Sequence, residues 1–331
     1  MVWSMGFFGK LFGGGTPQVD AQLVAAWANP WDAEMADIVD SVNVDRLLEL
    51  YGQQGEYLRT WLVGDFGQAA LANSEAWLQR LAQPGTPHER MFLGSIHSHL
   101  GWARRGTRVA SLTDGDDLDA FSHHLITALQ LHLEAAREMA PEDMTAYAEA
   151  QSCTFPLPTE QVMQVAAEWR AIDPYFRAGL QYLGDVIDER WSGVPHAQLE
   201  LAEEVALRAP SGNPGLWAVP TLIAHRWDYL ANFAEIGFDA ADAQTVRSPR
   251  VQQYLEAAYR KLGPIDPAAE VITLNRYLWC FYHGGNVPLA HEVLQRVDGR
   301  VDADMWNFRD SHADPLAEFI HAHGNITRAA R

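Results

Sequence analysis

Apolar residues recur at helical spacing along most of the chain. In residues 248–264 they fall on one face of a helix, at positions Val251, Tyr254, Leu255, Ala258, Tyr259 and Leu262. Ser248 and Pro249 suit a helix cap and a first helical turn. Thr86 and Glu89 have the spacing of a capping box, in which each side chain bonds the backbone N–H of the other residue. No stretch alternates convincingly with period two, so the pattern predicts an all-α fold.

The helical segments fall into about six successive helix-turn-helix pairs. We expect the first helices near 43–63, 87–106, 141–152, 174–190, 214–235 and 267–283, and their partners near 66–82, 115–139, 158–172, 194–208, 248–261 and 286–297. The longer connector at 236–247 is expected to be a loop. We predict three parts: an apolar N-terminal segment with a glycine tether at 1–15, a helical repeat domain at 16–300 and a C-terminal helical cap or tail at 301–331.

Several second helices end in small alanines before a proline that starts the next pair. Pro141, Pro174 and Pro210 mark this rhythm, which resembles the tetratricopeptide repeat, a helical hairpin of about 34 residues. The segment LWCFYHGGNVPLAHEVL, within 267–297, is the most similar, whereas most pairs lack the Gly and Tyr expected on the first helix. The resemblance implies an α-solenoid built from irregular repeats.

A second resemblance covers residues 60–235. The stretches LRTWLVGDF, SHLGWARRGTRVASLT, LEAAREMAPED and AHRWDYL are similar to segments of an uncharacterised family of tetratricopeptide-like proteins from high-GC Gram-positive bacteria. That family has no established activity. The resemblance therefore implies a solenoid and a bacterial source, and it transfers no catalytic residue.

Charge and cysteine content narrow the classes of partner and location. The chain has 43 Asp and Glu against 24 Lys and Arg, a formal net charge of −19. A field of this sign repels phosphate backbones and anionic lipid surfaces, so we expect neither nucleic acid nor a membrane as a partner. No apolar run approaches the ~20 residues that cross a bilayer. Cys153 and Cys280 lack metal-ligand spacing, which predicts two buried thiols in a cytoplasmic protein.

The histidines form no recognisable metal or catalytic motif. His97 and His99 are two residues apart on a predicted helix, about 200° around its axis, so they cannot share one ion. The same holds for His321 and His323. Residues 291–295, HEVLQ, lack the second histidine of the zinc-protease helix, and no nucleophile or phosphate-loop motif is present. We therefore expect no catalytic residue, no bound metal and no cofactor.

Residues 114–119, DGDDLD, have two interpretations. The string resembles the acid motif of class II terpene cyclases, all-α enzymes in which one protonated Asp acts as a general acid. Acidic residues also stabilise the N-terminus of a helix through the helix dipole, without any chemistry. Since a cyclase needs a much larger helical barrel, we expect this string to begin a helix.

The remaining candidates are polar and aromatic residues on the first helix of each pair, which lines the concave face of tetratricopeptide-like solenoids. They are Trp102, Arg105, Arg177, Gln181, His225, Asp228, Tyr229, Asn275 and Arg276. Such faces bind an extended peptide or a helix through amides, arginines and aromatic anchors. The alternative for each residue is structural, as an aromatic core residue or as an arginine paired with a neighbouring acid.

These observations support three hypotheses of function. The first is a non-catalytic adaptor, chaperone or regulator that binds a protein or peptide on its concave face. The second is an all-α enzyme or small-ligand protein with a pocket of His, Asp and Arg. The third is a structural subunit of a bacterial assembly that docks through its N-terminal segment. A homo-oligomer is compatible with each of them.

The N-terminal stretch MGFFGKLFGGG, residues 5–15, is apolar but is not a secretory signal, because Lys10 interrupts the apolar run. As a helix it would present an apolar flank of Trp3, Phe7, Phe8, Leu11 and Phe12. One Lys on a strongly acidic protein is too little charge for a membrane-surface helix. We therefore expect this flank to dock on the protein itself or on a partner, with a membrane surface as the second alternative.

Overall fold

The computed structural model describes residues 22–24, 31–106, 113–306 and 314–330 of the chain. Most of these residues are helical, which confirms the all-α prediction. The exception among them is a parallel pair of three-residue strands, β1 (Gln22–Val24) and β2 (Arg300–Asp302), in which Leu23 lies opposite Val301. The sequence analysis did not predict this pair, since three residues are too few to show an alternation.

The α-helices follow the chain in this order: α1 (Asp32–Ser41), α2 (Val44–Gly52), α3 (Glu56–Ala70), α4 (Ser74–Arg80), α5 (Pro87–Arg105), α6 (Gly115–Met139), α7 (Thr145–Ser152), α8 (Thr159–Arg170), α9 (Arg177–Val186), α10 (Glu189–Ser192), α11 (Ala197–Arg208), α12 (Val219–Asp228), α13 (Phe238–Gln244), α14 (Pro249–Arg260), α15 (Pro267–His283), α16 (Val287–Val297), α17 (Ala303–Trp306) and α18 (Pro315–Ala329). Turns of 3₁₀-helix lie at Leu71–Asn73 and Pro214–Ala218, and a π-helical turn lies at Tyr229–Phe233.

Two predicted helix starts are confirmed by their caps. Before α5, Glu89 N–H donates to Thr86 Oγ1 at 3.2 Å and Thr86 N–H donates to the Glu89 carboxylate at 3.0 Å, so the capping box is present. Before α6, the Asp114 carboxylate accepts from the backbone N–H of Asp116 at 3.0 Å. The DGDDLD string therefore begins a helix.

Two of the predicted elements that differ from the structure are the helix at 43–63 and the loop at 236–247. The helix expected at 43–63 is divided into α2 and α3, because Gly52 ends the first helix and Gly55 is the N-cap of the second. The loop expected at 236–247 contains α13, which packs through Asp242, a fully buried residue whose carboxylate accepts the indole N–H of Trp227 at 2.7 Å. A seven-residue helix is too short for its periodicity to be recognised.

Consecutive helices pack into a curved row. α5 packs along α6, α11 along α12, and α15 along α16, while α3 contacts α7, α7 contacts α9, α9 contacts α12 and α12 contacts α15. The row closes because α15 also contacts α3. An open solenoid keeps its first and last repeats apart. Here α3 and α15, which lie near the two ends of the row, are in contact instead.

An apolar cluster fills the junction between α3 and α15. Its buried members are Tyr57, Trp217 and Ala269, with Leu58, Trp61, Leu262 and Ile265 packed around them. These residues come from α3, from the 3₁₀ turn before α12, and from α15 with the segment that precedes it. Of the polar residues near this junction, Arg177 is buried, whereas Gln181 and Arg276 remain partly exposed.

Gly67 allows α3 to approach α5 closely. A Cβ atom at this position would clash with Ser95 Oγ and the His99 ring on α5. Ser95 is fully buried and donates its hydroxyl to the Val63 carbonyl at 2.8 Å. Gly64, one turn earlier on α3, has no atom within 4 Å of its Cβ position. A side chain at position 67 would therefore disturb the contact with α5, whereas one at position 64 would not.

We expect Gly67→Ala to lower the free energy of unfolding by about 1–3 kcal/mol, because the added methyl group must displace packed side chains. Gly64→Ala is the matched control, and alanine there should leave stability unchanged or raise it by up to ~1 kcal/mol. Urea denaturation followed by circular dichroism measures both variants. Equal losses for the two variants would contradict the close approach of α3 and α5.

Candidate functional site

Three of the predicted binding residues meet in a narrow cleft where α3, α9 and α15 come together. Arg177 and Gln181 lie on α9, and Arg276 lies on α15. The other lining residues are Tyr57, Trp61, Trp217, Ala218, Ile272 and Thr273. We call this set the arginine cleft. Its enclosed space is about 10 Å³, which is room for about one water molecule.

Helical spacing explains why these side chains converge. Arg177 is the first residue of α9, so Gln181 follows one turn later on the same face. Tyr57 and Trp61 have the same spacing on α3, and α15 presents its lining residues in the same way. The sequence analysis missed the two aromatic residues. Their signal was the four-residue spacing, but only the closure of the helix row places them opposite Arg177.

Arg177 is a buried cation with few polar contacts. The residue is only 8% exposed to solvent. One guanidinium nitrogen donates to Gln181 Oε1 at 3.2 Å, and the guanidinium carbon lies 4.5 Å from the centre of the Tyr57 ring. Burial lowers the pKa of Arg177, although an arginine side chain keeps its charge in proteins.

Arg276 brings a second guanidinium to the cleft. Its Nη1 donates to Thr221 Oγ1 at 2.7 Å. Within the part of the chain that the structure describes, no carboxylate lies within 4.0 Å of either cleft arginine. Glu56 acts on Arg177, and Asp302 on Arg276, only from longer distances. The cleft therefore has a positive charge that the fold does not pair.

A second group of predicted residues lies around the C-terminal half of α12, where most charges are paired. His225 Nδ1 lies 2.8 Å from Asp185 Oδ1. Tyr229 lies under the guanidinium of Arg226, 5.0 Å from the ring centre, and Arg226 pairs with Glu189 at 2.6 Å. Because these partners are internal, His225 and Tyr229 have a structural role in addition to any binding role.

Exposed apolar side chains follow this group directly. Phe233 is 52% exposed, Ile236 38% and Phe238 42%. The Arg190 guanidinium lies 4.2 Å from the Phe233 ring centre and 3.6 Å from the Asp228 carboxylate. We use the name π-turn patch for the five residues Phe233, Ile236, Phe238, Arg190 and Asp228. The name refers to the π-helical turn Tyr229–Phe233, which ends at Phe233. The sequence analysis missed Phe233, Ile236 and Phe238. The available signal was their close spacing, since three large apolar residues lie at the end of a predicted helix and in the predicted loop that follows it.

Trp102 and Arg105 belong to a third group. The Arg105 guanidinium lies 5.4, 5.7 and 5.0 Å from the ring centres of Trp102, Phe121 and Trp191. Trp102 also packs edge-on against Phe155. The arrangement is that of a stacked cation among packed rings. It favours the structural alternative for both residues, in which they stabilise the packing of the fold.

Asn275 is not accessible to a partner, and its assignment as a binding residue is corrected. It is fully buried. Its side-chain N–H groups donate to the carbonyls of Val271 and Arg300 at 2.8 and 2.9 Å, and its oxygen accepts the indole N–H of Trp306 at 2.8 Å. Asn275 therefore attaches β2 and α17 to α15.

The histidines and cysteines offer little for catalysis or metal binding. Among the described residues, no group of three or more His, Cys, Asp or Glu could hold a metal ion. His97 Nδ1 lies 3.1 Å from His124 Nδ1 across α5 and α6, and burial lowers the pKa of His97 to about 4. Cys153 and Cys280 are buried, as predicted, and burial raises the pKa of Cys153 to about 12.

A wider depression of about 610 Å³ lies between α2, α5 and α6. Its central acid, Asp143, accepts hydrogen bonds from the Tyr51 hydroxyl at 2.7 Å, from Arg59 at 3.0 Å and from the Thr145 N–H at 2.9 Å. These bonds and the Arg59 charge lower the pKa of Asp143 against the opposing effect of burial. The carboxylate is consequently engaged by the fold.

The proposed docking residues Trp3, Phe7, Phe8, Leu11 and Phe12 lie outside the described residues, as does the whole segment 1–15. In the described ranges, no helix combines the length and the apolar character needed to cross a membrane. No family model, curated protein or solved structure matches this chain. The function is therefore inferred from the geometry of the site.

Glu149 is a buried acid that the sequence analysis did not single out. It lies on α7, is 4% exposed, and its Oε1 has no hydrogen-bond partner. Burial raises its pKa to about 8. The surrounding sequence, TAYAEAQ, gives no sign of burial, because one Glu among alanines is equally typical of an exposed helix.

We expect Asn275→Ala to lower the free energy of unfolding by about 2–4 kcal/mol, because it breaks one buried and two partly buried hydrogen bonds and leaves the Trp306 N–H without a partner. Asn232→Ala removes the same side chain at an exposed position and should change stability by less than ~0.5 kcal/mol. Guanidinium unfolding monitored by tryptophan fluorescence compares them. A neutral Asn275→Ala variant would restore Asn275 as a candidate for partner contact.

We expect Glu149→Gln to stabilise the protein at alkaline pH. Because burial raises the pKa of Glu149 to about 8, the folded carboxyl holds its proton up to about pH 8, whereas the unfolded one releases it near its ordinary pKa of 4.5. Its contribution to stability is complete below the unfolded pKa and is lost as pH rises through the folded value. The gain from Glu149→Gln should thus grow from near zero at about pH 4.5 to a few kcal/mol at about pH 8.5. Urea unfolding across this range measures the gain. A difference in free energy of unfolding between the variant and the wild type that does not change with pH would contradict the burial of the Glu149 carboxyl group.

Proposed function

We propose that this protein is a non-catalytic binding protein that recognises a segment of another protein through the π-turn patch. The observation that carries the proposal is the exposure of Phe233, Ile236 and Phe238 within six residues of one another. Aromatic and arginine side chains dominate the energy of protein interfaces. The patch combines both, since Arg190 stacks on Phe233.

The local backbone supports a binding role for this region. π-Helical turns are rare and occur often at functional sites. The turn Tyr229–Phe233 interrupts the end of an inner helix and is followed by α13, whose buried Asp242 is bonded to Trp227. The apolar side chains of the π-turn patch are therefore displayed from a supported segment, and binding would order few additional residues.

The charges around the patch favour a partner of opposite sign. Glu235 and Asp239 lie beside it in the chain and are exposed; the Asp239 side chain is 96% exposed and pairs with Arg247 at 3.4 Å. The chain as a whole has a formal net charge of −19. An acidic rim around an apolar centre fits a peptide with apolar anchors flanked by Lys or Arg. The partner class we propose is accordingly a basic, amphipathic protein segment.

This proposal keeps the leading hypothesis from the sequence and changes the surface that it uses. The paired helices support an irregular, tetratricopeptide-like row. The contact between α3 and α15 encloses the inner faces, whereas the π-turn patch remains exposed at the C-terminal end of α12. Two buried, unpaired thiols support a reducing, cytoplasmic location.

We expect Phe233→Ser to weaken partner binding at least tenfold, about 1.4 kcal/mol, because it removes the most exposed anchor of the patch. Random peptides displayed on phage are selected on the immobilised full chain. The recovered peptides are then synthesised, and their affinity is measured by fluorescence polarisation. They should be rich in Lys or Arg and in large apolar residues.

Leu207→Ser is the matched control, since Leu207 is 55% exposed on α11 outside the patch. It should leave affinity unchanged. Recovery of no peptide above background, or equal binding by the Phe233→Ser variant, would contradict the proposal. Circular dichroism of both variants checks that the fold is retained.

A further inference from the structure

The arginine cleft holds two cations that the fold does not neutralise, although the chain has 43 acidic residues against 24 basic ones. Arg177 is more than nine-tenths buried, and Arg276 lines the same cleft. Both of their hydrogen-bond acceptors are neutral groups, the amide of Gln181 and the hydroxyl of Thr221. By contrast, Arg226, which is similarly buried, pairs with a carboxylate at 2.6 Å.

A buried cation without a counter-ion is strongly unfavourable, and removal of one partner of a buried ion pair destabilises proteins for this reason. Arg177 has no nitrogen that is both fully enclosed and unbonded within the described residues. Its free N–H groups therefore border the accessible space of the cleft. A ligand that enters this space meets donors that are already positioned by Gln181 and by the Tyr57 ring.

Two helix N-termini add positive potential at the same place. Tyr57 is the second residue of α3, and Arg177 is the first residue of α9. The N-cap residues Gly55 and Phe176 place no side-chain acceptor on the free N–H groups of these helices. The partial positive charge at both helix ends adds to that of the two guanidinium groups, while the Glu56 carboxylate in the first turn of α3 opposes it.

We propose that the arginine cleft binds the carboxylate group of a ligand. The space of about 10 Å³ has room for about one water-sized group, so one carboxylate oxygen can enter it, whereas the bulkier tetrahedral phosphate is disfavoured. The guanidinium fork matches the two carboxylate oxygens. The remainder of the ligand lies outside the enclosed space, against the aromatic side of the cleft. This site is separate from the π-turn patch and does not depend on it.

The carboxylate could belong to a small organic acid or to the C-terminus of a peptide, and one experiment distinguishes these sources. Thermal unfolding of the full chain is recorded in chloride buffer at constant ionic strength. Sodium acetate, sodium phosphate, and trialanine with a free or an amidated C-terminus are added separately. We expect acetate, free-acid trialanine or both to raise the midpoint by about 2 °C or more at saturation.

A shift with acetate alone assigns the site to a small acid, and a shift with free-acid but not amidated trialanine extends it to a peptide terminus. No shift with either carboxylate would overturn the proposal, as would a shift with phosphate alone or an equal shift with the amidated peptide.

Variants locate the effect in the cleft. Arg177→Gln and Arg276→Gln should each weaken carboxylate binding, measured by calorimetric titration, by at least about tenfold. Arg208→Gln, at an exposed position on α11, should bind as the wild type does. Without ligand, Arg177→Gln should unfold at no lower temperature than the wild type, because it removes an unpaired buried charge. If Arg177→Gln does not fold, Arg276→Gln decides the outcome, and unchanged binding by it would overturn the proposal.

Discussion

The contact between α3 and α15 determines what the inner helix faces can do. In an open row of helical hairpins, Arg177 would face solvent, where an unpaired arginine has little energetic consequence. Closure brings Tyr57 and Trp61 across from Arg177 and Arg276, and it buries Arg177 beside an apolar cluster while Arg276 remains partly exposed. The same contact that completes the core therefore concentrates unpaired positive charge. The arginine cleft is a consequence of the fold's closure and is not a feature of any one helix.

The core contains buried ionisable groups of both signs that do not pair with each other. Burial raises the pKa of Glu149 to about 8, so at neutral pH the carboxyl group keeps its proton and avoids the cost of a buried charge. Arg177 cannot do the same, because a guanidinium group does not lose its proton in proteins. Both residues act on Tyr182, which lies near them on α9. A buried Glu can therefore remain uncharged without a partner, whereas the buried arginine keeps its charge, which the proposed carboxylate ligand would compensate.

The sequence was sufficient where local chemistry decides the structure. Caps such as Thr86 and Asp114 place helix starts accurately, because their side chains bond backbone groups a few residues away. The three-residue strands and α13 were not predicted, since they are too short to show periodicity and are held by distant partners. Local pattern also cannot show which side of a helix is enclosed. Asn275 and Arg276 are adjacent in the sequence, yet only Asn275 is fully buried and bonded within the fold. Similarly, the sequence indicated Arg177, Gln181 and Arg276 as separate binding candidates. It could not show that they line one cleft, because that depends on the contact between α3 and α15.

Small-angle X-ray scattering of the full chain tests this closure most directly. A closed arrangement of 331 residues should give a radius of gyration of about 20 Å, as expected for a compact domain of this length. Its distance distribution should lack the long tail of an extended superhelix. A markedly larger radius with an elongated distance distribution would show that α3 and α15 are apart in solution, and it would contradict the enclosed arginine cleft.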